Sequence, residues 1–200
     1  MKNLPKKIYL IDANIELISA WEEAFSEWPE VKVFHGDFFT FPADAMVSPA
    51  NSFGYMDGGL DLAIRYELGE RVETTIQNVI LKKHFGELPV GLAELIPTKN
   101  EKWPYLICAP TMRVPKNISG TLNAYLAFRA TLVSIVRHNE ENPSQRIESL
   151  VCPGLGTGIG NLPAKCCAEQ MKMAYFYAVQ QPRIPGFNEA HTMELKLTHD

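Results

Sequence analysis

The sequence predicts an α/β fold in which helices cover both faces of a central mixed, largely parallel sheet, giving a three-layer α/β/α sandwich. Three observations predict it. Short apolar segments rich in Val, Ile, Phe and Met recur along the chain, segments with helical spacing lie between most of them, and two glycine-rich turns follow strands and precede helices. Two hundred residues suffice for one such domain, so residues 1–200 are predicted to form a single domain.

The elements follow from hydrophobic periodicity and from the residues that start and stop helices. Asn14 can cap the first helix, and Pro163 suits the first turn of the last clear one. In chain order we predict a strand at 8–11, a helix at 15–28, strands at 31–34 and 44–48, helices at 60–68 and 72–80, strands at 92–96 and 105–109, a helix at 122–136, a strand at 147–152 and a helix after 163.

Two connections are ambiguous at this level. The polar loop at 98–104 is compatible with a hairpin or an edge connection. Beyond residue 181 the signals weaken: residues 193–197 alternate apolar and polar side chains like an edge strand, and a tail is the alternative.

The composition excludes several classes of protein. With 46% hydrophobic residues, 21% charged residues and a net charge of -4, the chain is an ordinary globular protein. Its acidic balance argues against direct nucleic-acid binding, which normally requires a basic face. The longest apolar runs fall far short of the roughly 20 residues that span a bilayer, and the N-terminus lacks a secretory pattern. We therefore expect an intracellular, cytoplasmic protein that does not bind membranes.

The metal-binding residue types lack the spacing of a metal site. Cys108, Cys152, Cys166 and Cys167 do not form the spaced pairs that hold zinc, and none of the five histidines has a suitable partner. Buried reduced thiols are the expected state of the cysteines. No metal and no cofactor are predicted, and the sequence does not address the oligomeric state.

The stretch at 47–61 concentrates polar chemistry between a strand and a helix. Asn51 ends an apolar run, Gly58 and Gly59 open a helix, and Asp61 lies in its first turn. The Asn51 amide suits a pair of ribose hydroxyls, although asparagine also commonly shapes turns. Asp61 favours the helix dipole, and a sugar hydroxyl or a water to be activated would give it a further role.

A second glycine turn follows the last predicted strand. Residues 154–160 contain four glycines in seven positions, which lets the backbone approach a ligand closely and present its amides. A helix follows, and its first N–H groups favour an anion such as a diphosphate. The loop lacks the glycine spacing of a dinucleotide-binding motif and the Lys-Ser/Thr pair that ends a P-loop. A tight turn without a ligand is therefore the alternative to a diphosphate site. If the preceding strands are parallel, both glycine turns lie at one edge of the sheet.

Asp37 is a third candidate for ligand binding. It follows Gly36 after a predicted strand, where it can accept a hydrogen bond from an adenine amine or serve only as a turn residue. Phe38, Phe39 and Phe41 beside it are more typical of a core than of base stacking.

These motifs occur together in the order found in one family. The sequence resembles the macrodomain family, ADP-ribose-binding α/β/α modules of the Appr-1-p (ADP-ribose 1″-phosphate) processing type, which include hydrolases and phosphatases acting on ADP-ribose derivatives. The resemblance is strongest over 31–180. It rests on Gly36-Asp37-Phe38, on residues 44–51 followed by 58–61, and on the loop at 154–163.

The resemblance implies a role for each site residue. Asp37 would bind the adenine amine beside the Phe38 backbone, and Asn51 would hold the distal ribose. Asp61 lies ten residues after Asn51, as in members that hydrolyse mono-ADP-ribosyl esters, so Asn51 and Asp61 are the implied catalytic pair. The implied diphosphate turns are Gly58, Gly59 and Leu60, and Gly156, Thr157, Gly158, Ile159 and Gly160.

The chain departs from the family pattern at several positions. Ser48-Pro49-Ala50-Asn51 replaces Asn-Ala-Ala-Asn, and Asp57 replaces one glycine of the first turn. Gly160 stands where many hydrolases have an aromatic residue that packs on the distal ribose, and Asn161 replaces the next glycine. Binding is therefore better supported than catalysis.

Four functions remain open on these grounds. The first is hydrolysis of mono-ADP-ribosyl esters or other ADP-ribose derivatives, and the second is dephosphorylation of ADP-ribose 1″-phosphate. The third is a non-catalytic reader or sensor of ADP-ribose or another NAD-derived nucleotide. The fourth is a nucleotide-binding α/β protein unrelated to ADP-ribose. The expected partner is ADP-ribose or an ADP-ribosylated protein, and the sequence does not distinguish mono- from poly-ADP-ribose.

Overall fold

The computed structural model describes residues 3–180 and 183–198, and these contain a six-stranded sheet with helices against both faces. In chain order the elements are β1 (Lys7–Asp12), α1 (Ile15–Ala24), β2 (Val31–His35), a one-turn 3₁₀ helix (Phe38–Thr40), β3 (Ala45–Ser48), α2 (Gly59–Leu68), α3 (Arg71–His84), β4 (Glu94–Pro97), β5 (Tyr105–Cys108), α4 (Asn123–Glu141), β6 (Ser149–Cys152), α5 (Ala164–Val179) and α6 (Phe187–Thr198).

The sheet is mixed and largely parallel. Its strand order is β2-β1-β6-β3-β5-β4, and every neighbouring pair is parallel except β4 with β5. The antiparallel β4–β5 pair shows that the loop at 98–104 closes a hairpin. Because β3 and β6 are parallel neighbours, with Ala45 opposite Leu150, the turns that follow them lie at the same sheet edge. The predicted α/β/α architecture is confirmed.

Two apolar cores lie on opposite faces of the sheet. In β3, Ala45 and Val47 face the core beneath α1, α4 and α5, whereas Met46 faces the core beneath α2 and α3. Successive strand side chains point to opposite faces, so a strand covered on both sides is apolar at every position. Trp21 and Phe128 fill the first core, and Trp103 is fully buried in the second.

The first helix is shorter than predicted. Asn14 caps it as expected, since its Oδ1 accepts a hydrogen bond from the Glu16 amide at 2.9 Å. The helix ends at Ala24 rather than at Trp28, because the chain turns after Phe25 and carries Trp28 back onto Tyr175. The two rings meet edge to face with centroids 5.9 Å apart. The apolar spacing that continued to Trp28 thus reflects packing and not a continuous helix.

The expectation of an edge strand at 193–197 is corrected by the structure, which contains the helix α6 there. Met193 and Leu197 are four residues apart and share a helical face, so the same residues satisfy a helical period. Leu197 is buried, and its carbonyl accepts a hydrogen bond from Gln170 Nε2 at 2.9 Å. Residues 181, 182, 199 and 200 of the predicted strand or tail lie outside the described residues.

The cysteines form no disulfide within residues 3–180 and 183–198. Cys108, Cys152 and Cys167 are buried, as expected for reduced thiols, whereas Cys166 is half-buried. In the same part of the chain, none of the helices combines the length and the apolar character needed to cross a membrane.

Asp44 links the starts of β3 and β6 by hydrogen bonds, at the end of the strands opposite to the glycine turns. Its Oδ2 accepts hydrogen bonds from the Glu148 and Ser149 amides at 2.8 Å and from Ser149 Oγ at 2.9 Å. We expect Asp44→Ala to lower the free energy of unfolding by about 2 kcal/mol, because these donors lose a charged acceptor. Urea denaturation checks this, with the exposed Glu22→Gln on α1 as the control. An unchanged midpoint in Asp44→Ala would contradict the assigned role.

Candidate functional site

A cavity of about 390 Å³ opens at the carboxyl ends of the parallel strands. Its walls come from the segments that follow β1, β3, β5 and β6, together with the start of α2. Ligands of open α/β sheets bind at this edge, and a volume of this size is typical of small-molecule sites. The two predicted glycine turns face this cavity from the ends of β3 and β6.

The first glycine turn leads directly into α2. Gly58 is the N-cap residue, and Gly59 has a φ of 56°, a left-handed conformation that favours glycine. Among the residues that the structure describes, no side chain caps the start of this helix. Its first N–H groups therefore remain available to an anionic ligand.

The second glycine turn is held against Ile118. The Ile118 amide donates to the Gly160 carbonyl at 2.8 Å, and the Leu162 amide donates to the Gly156 carbonyl at 3.0 Å. A Cβ atom on Gly160 would lie 2.4 Å from the Gly156 carbonyl oxygen and 2.8 Å from Ile118 Cγ1. In its observed conformation the loop therefore has no room for a side chain at position 160.

Asn51 lies in the cavity wall with its amide engaged in its own turn. Its Oδ1 accepts hydrogen bonds from the amides of Phe53 at 3.1 Å and Tyr55 at 3.3 Å, and its Nδ2 donates to the Tyr55 carbonyl at 2.8 Å. Asn51 therefore shapes the loop between β3 and α2, as the turn interpretation expects.

Asp61 is a buried carboxylate at the start of α2. Only 9% of the residue is exposed, and Ser48 Oγ donates a hydrogen bond to its Oδ1 at 2.6 Å. Burial raises the pKa of Asp61 from 3.8 to about 6, the Ser48 hydrogen bond opposes that rise, and the nearby charge of Asp57 adds to it. Asp61 can therefore change its protonation state near neutral pH.

Asp37 and Phe38 lie outside the cavity wall. Asp37 is exposed after β2 and caps the 3₁₀ helix, with Oδ1 accepting from the Phe39 amide at 2.9 Å. Phe38 is buried among apolar residues. Because β2 is the outer neighbour of β1, Asp37 lies one strand further along the same sheet edge than Asp12. The other predicted site residues all line the cavity.

The sequence reasoning missed Asp12 and Asn14, which complete the wall beside β1. Asp12 Oδ2 accepts a hydrogen bond from the Gly154 amide at 3.1 Å, and Oδ1 accepts from the Asn14 amide at 2.9 Å. Asp12 thus anchors the start of the second glycine turn. The available signal was its position at the end of a buried strand, where a parallel sheet places its ligand site.

The charges that line the cavity are all negative. Asp12, Asp57 and Asp61 line it, and none of the described lining residues is a lysine, arginine or histidine. An anionic ligand would therefore be held by backbone amides and helix dipoles. Within the described part of the chain, no group of three acidic, histidine or cysteine residues could hold a metal ion.

A cavity between two glycine turns, at the carboxyl edge of parallel strands, is typical of nucleotide-binding α/β proteins. Comparison with protein families is more specific. The Macro domain family model matches residues 47–171, and the chain belongs to the macrodomain family. The match contains both glycine turns, Asn51 and Asp61, whereas Asp37 precedes it.

The relatives of this chain share most of its length. An uncharacterized protein of Aquifex aeolicus is 32% identical over 142 residues, which cover 71% of this chain and 78% of the relative. An uncharacterized protein of Aeropyrum pernix is 30% identical over 141 residues, covering 70% and 67%, respectively.

Solved macrodomains share the fold. The macrodomain of Mycobacterium tuberculosis DarG aligns with a TM-score of 0.53 at 21% identity, covering 72% of this chain and 86% of that one. The Oceanobacillus iheyensis macrodomain with ADP aligns with a TM-score of 0.55 at 18% identity, covering 72% and 75%. A mutant of the latter with ADPR aligns with a TM-score of 0.55 at 17% identity, covering 73% and 77%.

Proposed function

We propose that this protein binds ADP-ribose in the cavity and releases it from mono-ADP-ribosyl esters. The observation that carries the proposal is the pair of amide-rich turns, Gly58–Gly59 and 156–160, which face one cavity from the parallel neighbours β3 and β6. Such a pair suits the two phosphates of one diphosphate. Structures of the O. iheyensis macrodomain with ADP and with ADPR support this choice of ligand.

Asp61 supports the hydrolytic step. A carboxylate with a pKa of about 6 is ionised at neutral pH and basic enough to take a proton from water. In the proposed reaction, water cleaves the ester link to the distal ribose, giving free ADP-ribose and the carboxylic acid of the carrier. Asn51 would position the distal ribose.

The acidic lining favours esters over a phosphorylated substrate. ADP-ribose 1″-phosphate adds a third phosphoryl group to a cavity with three carboxylates and no cation among its described lining residues. Ester hydrolysis is therefore better supported than dephosphorylation of ADP-ribose 1″-phosphate.

A non-catalytic reader of ADP-ribose is the second candidate. Gly160 offers no aromatic ring to the distal ribose, and the Asn51 side chain already forms hydrogen bonds within its own turn.

Calorimetric titration with ADP-ribose tests the binding proposal. We expect saturable binding, and we expect Asn51→Ala to cost about 1–3 kcal/mol of it, because the ribose loses a hydrogen-bond partner and the turn loses its brace. The exposed Asn78→Ala on α3 is the control and should bind like the wild type. Preference for another nucleotide, with no detectable ADP-ribose binding, would contradict the proposal.

A turnover assay separates the enzyme from the reader. The purified protein is incubated with a protein mono-ADP-ribosylated on acidic side chains, and free ADP-ribose is measured. Release of ADP-ribose supports the hydrolase, whereas tight binding without release from this substrate or from other ADP-ribose derivatives supports the reader. Phosphate release from ADP-ribose 1″-phosphate reports the phosphatase.

A further inference from the structure

Ser48 meets Asp61 in the interior, beneath the first glycine turn. Ser48 ends β3 and is fully buried, and its hydroxyl is 2.6 Å from Asp61 Oδ1 in the first turn of α2. The bond joins the two ends of the segment at 49–59, which forms one wall of the cavity. Ser48 therefore contacts a site residue from behind, and it is absent from the cavity lining.

A second buried serine lies in the same segment and does not contact Asp61. Ser52 is 1% exposed, and its Oγ is a buried atom with no hydrogen-bond partner among the described residues. The two serines are therefore alike in burial and differ in whether they touch a carboxylate. Ser52 supplies a matched control.

Ser48 donates a hydrogen bond to the Asp61 carboxylate, whereas the other groups near this carboxylate do not stabilise its charge. Asp57 contributes a repulsive charge from the glycine turn, and Cys108 at the end of β5 contributes a neutral thiol whose own pKa is raised by burial and by the charge of Asp61. The described cavity lining contains no positive charge to balance the carboxylate. A hydroxyl that donates to a carboxylate favours its ionised form.

We propose that Ser48 is a positioning residue, which holds Oδ1 of Asp61 so that Oδ2 is presented to the ribose end of the cavity as an ionised acceptor. This inference rests on the proposed function of the site and adds a residue to it. Ser48 stands where the family often has asparagine, and here its hydroxyl contacts Asp61 directly.

Two measurements on Ser48→Ala test the inference. The first is a ¹³C NMR titration of the Asp61 carboxyl group, which requires no ligand. In the wild type we expect a midpoint near pH 6, and in Ser48→Ala a midpoint higher by about one to two pH units, because a hydrogen bond to a charged group is lost. Ser52→Ala should leave the midpoint unchanged, since it removes no bond to Asp61.

The second measurement is the pH profile of ADP-ribose release. Its rising limb should follow the Asp61 midpoint and move to higher pH by the same amount in Ser48→Ala, with the Ser52→Ala profile unmoved. An unchanged Asp61 midpoint in Ser48→Ala, with the fold intact, would overturn the inference whatever the protein binds. A higher Asp61 midpoint in Ser48→Ala, together with wild-type protein that binds no ADP-ribose, would instead overturn the proposed function and leave the inference standing.

Discussion

Replacing Asp61 with asparagine is expected to stabilise the folded protein above neutral pH and to abolish the proposed release of ADP-ribose. Burial raises the pKa of Asp61 from 3.8 to about 6, so the fold favours the protonated form. The stability that this preference contributes is fully present below pH 3.8 and is lost as the pH rises through about 6. At pH 8 the ionised, buried carboxylate then lowers the free energy of unfolding by on the order of 3 kcal/mol.

The asparagine side chain keeps the shape of the aspartate and removes its charge, so most of this cost should be recovered. We expect Asp61→Asn to increase the free energy of unfolding by roughly 2–3 kcal/mol at pH 8 and by less than about 1 kcal/mol near pH 4. Urea denaturation at the two pH values measures the difference. Asp57→Asn, which removes an exposed carboxylate from the same turn, should change stability by less than about 0.5 kcal/mol at either pH.

The same substitution should slow ADP-ribose release by roughly 100-fold or more, because an amide cannot accept a proton from water. A gain in stability together with a loss of turnover is the pattern expected when a site keeps a costly group for its chemistry. Retained turnover in folded Asp61→Asn would remove Asp61 from the mechanism. Equal stability changes at the two pH values would show that the carboxylate does not titrate in this range.

Gly160→Ala is expected to weaken ADP-ribose binding strongly. The new methyl group would lie 2.4 Å from the Gly156 carbonyl oxygen, which belongs to the backbone of the same loop and cannot rotate away. The loop must open, at a cost of about 1–3 kcal/mol, and its amides then leave the positions that suit a phosphate. We expect roughly a 10- to 100-fold loss of ADP-ribose affinity by calorimetry.

Gly186→Ala is the control for this prediction, since Gly186 is exposed and a Cβ there meets no atom within 4 Å. Circular dichroism establishes that both variants are folded. Wild-type affinity in Gly160→Ala would show that the turn at 156–160 does not hold the ligand, and would leave the first turn as the remaining candidate.

The parts of the structure that depend on neighbouring residues could be predicted from the sequence. Short apolar strand runs, the Asn14 cap and the glycine turns are local features, and the order of strands and helices then sets the layers. The expectation that both turns share one sheet edge required only that β3 and β6 be parallel. The fold and the two glycine turns that line the cavity followed from these features.

The rest depends on contacts between distant segments, which local patterns do not encode. Asp12 anchors Gly154 across 142 residues of sequence, and no periodicity pairs the two. Met193 and Leu197 fit a strand face and a helix face equally well, and packing on α5 decides for the helix. The bond between Ser48 and Asp61 forms only because α2 returns over the end of β3.

The central position of β6 has a consequence for how the protein folds. β6 is the last strand of the described chain and lies between β1 and β3, which therefore acquire their shared neighbour only when residues 149–152 join the sheet. Pairings between such distant segments are slow to form, because a long loop must close first. A partly folded chain without β6 has neither the second glycine turn nor the partner of Asp12, so the cavity forms only with the completed sheet.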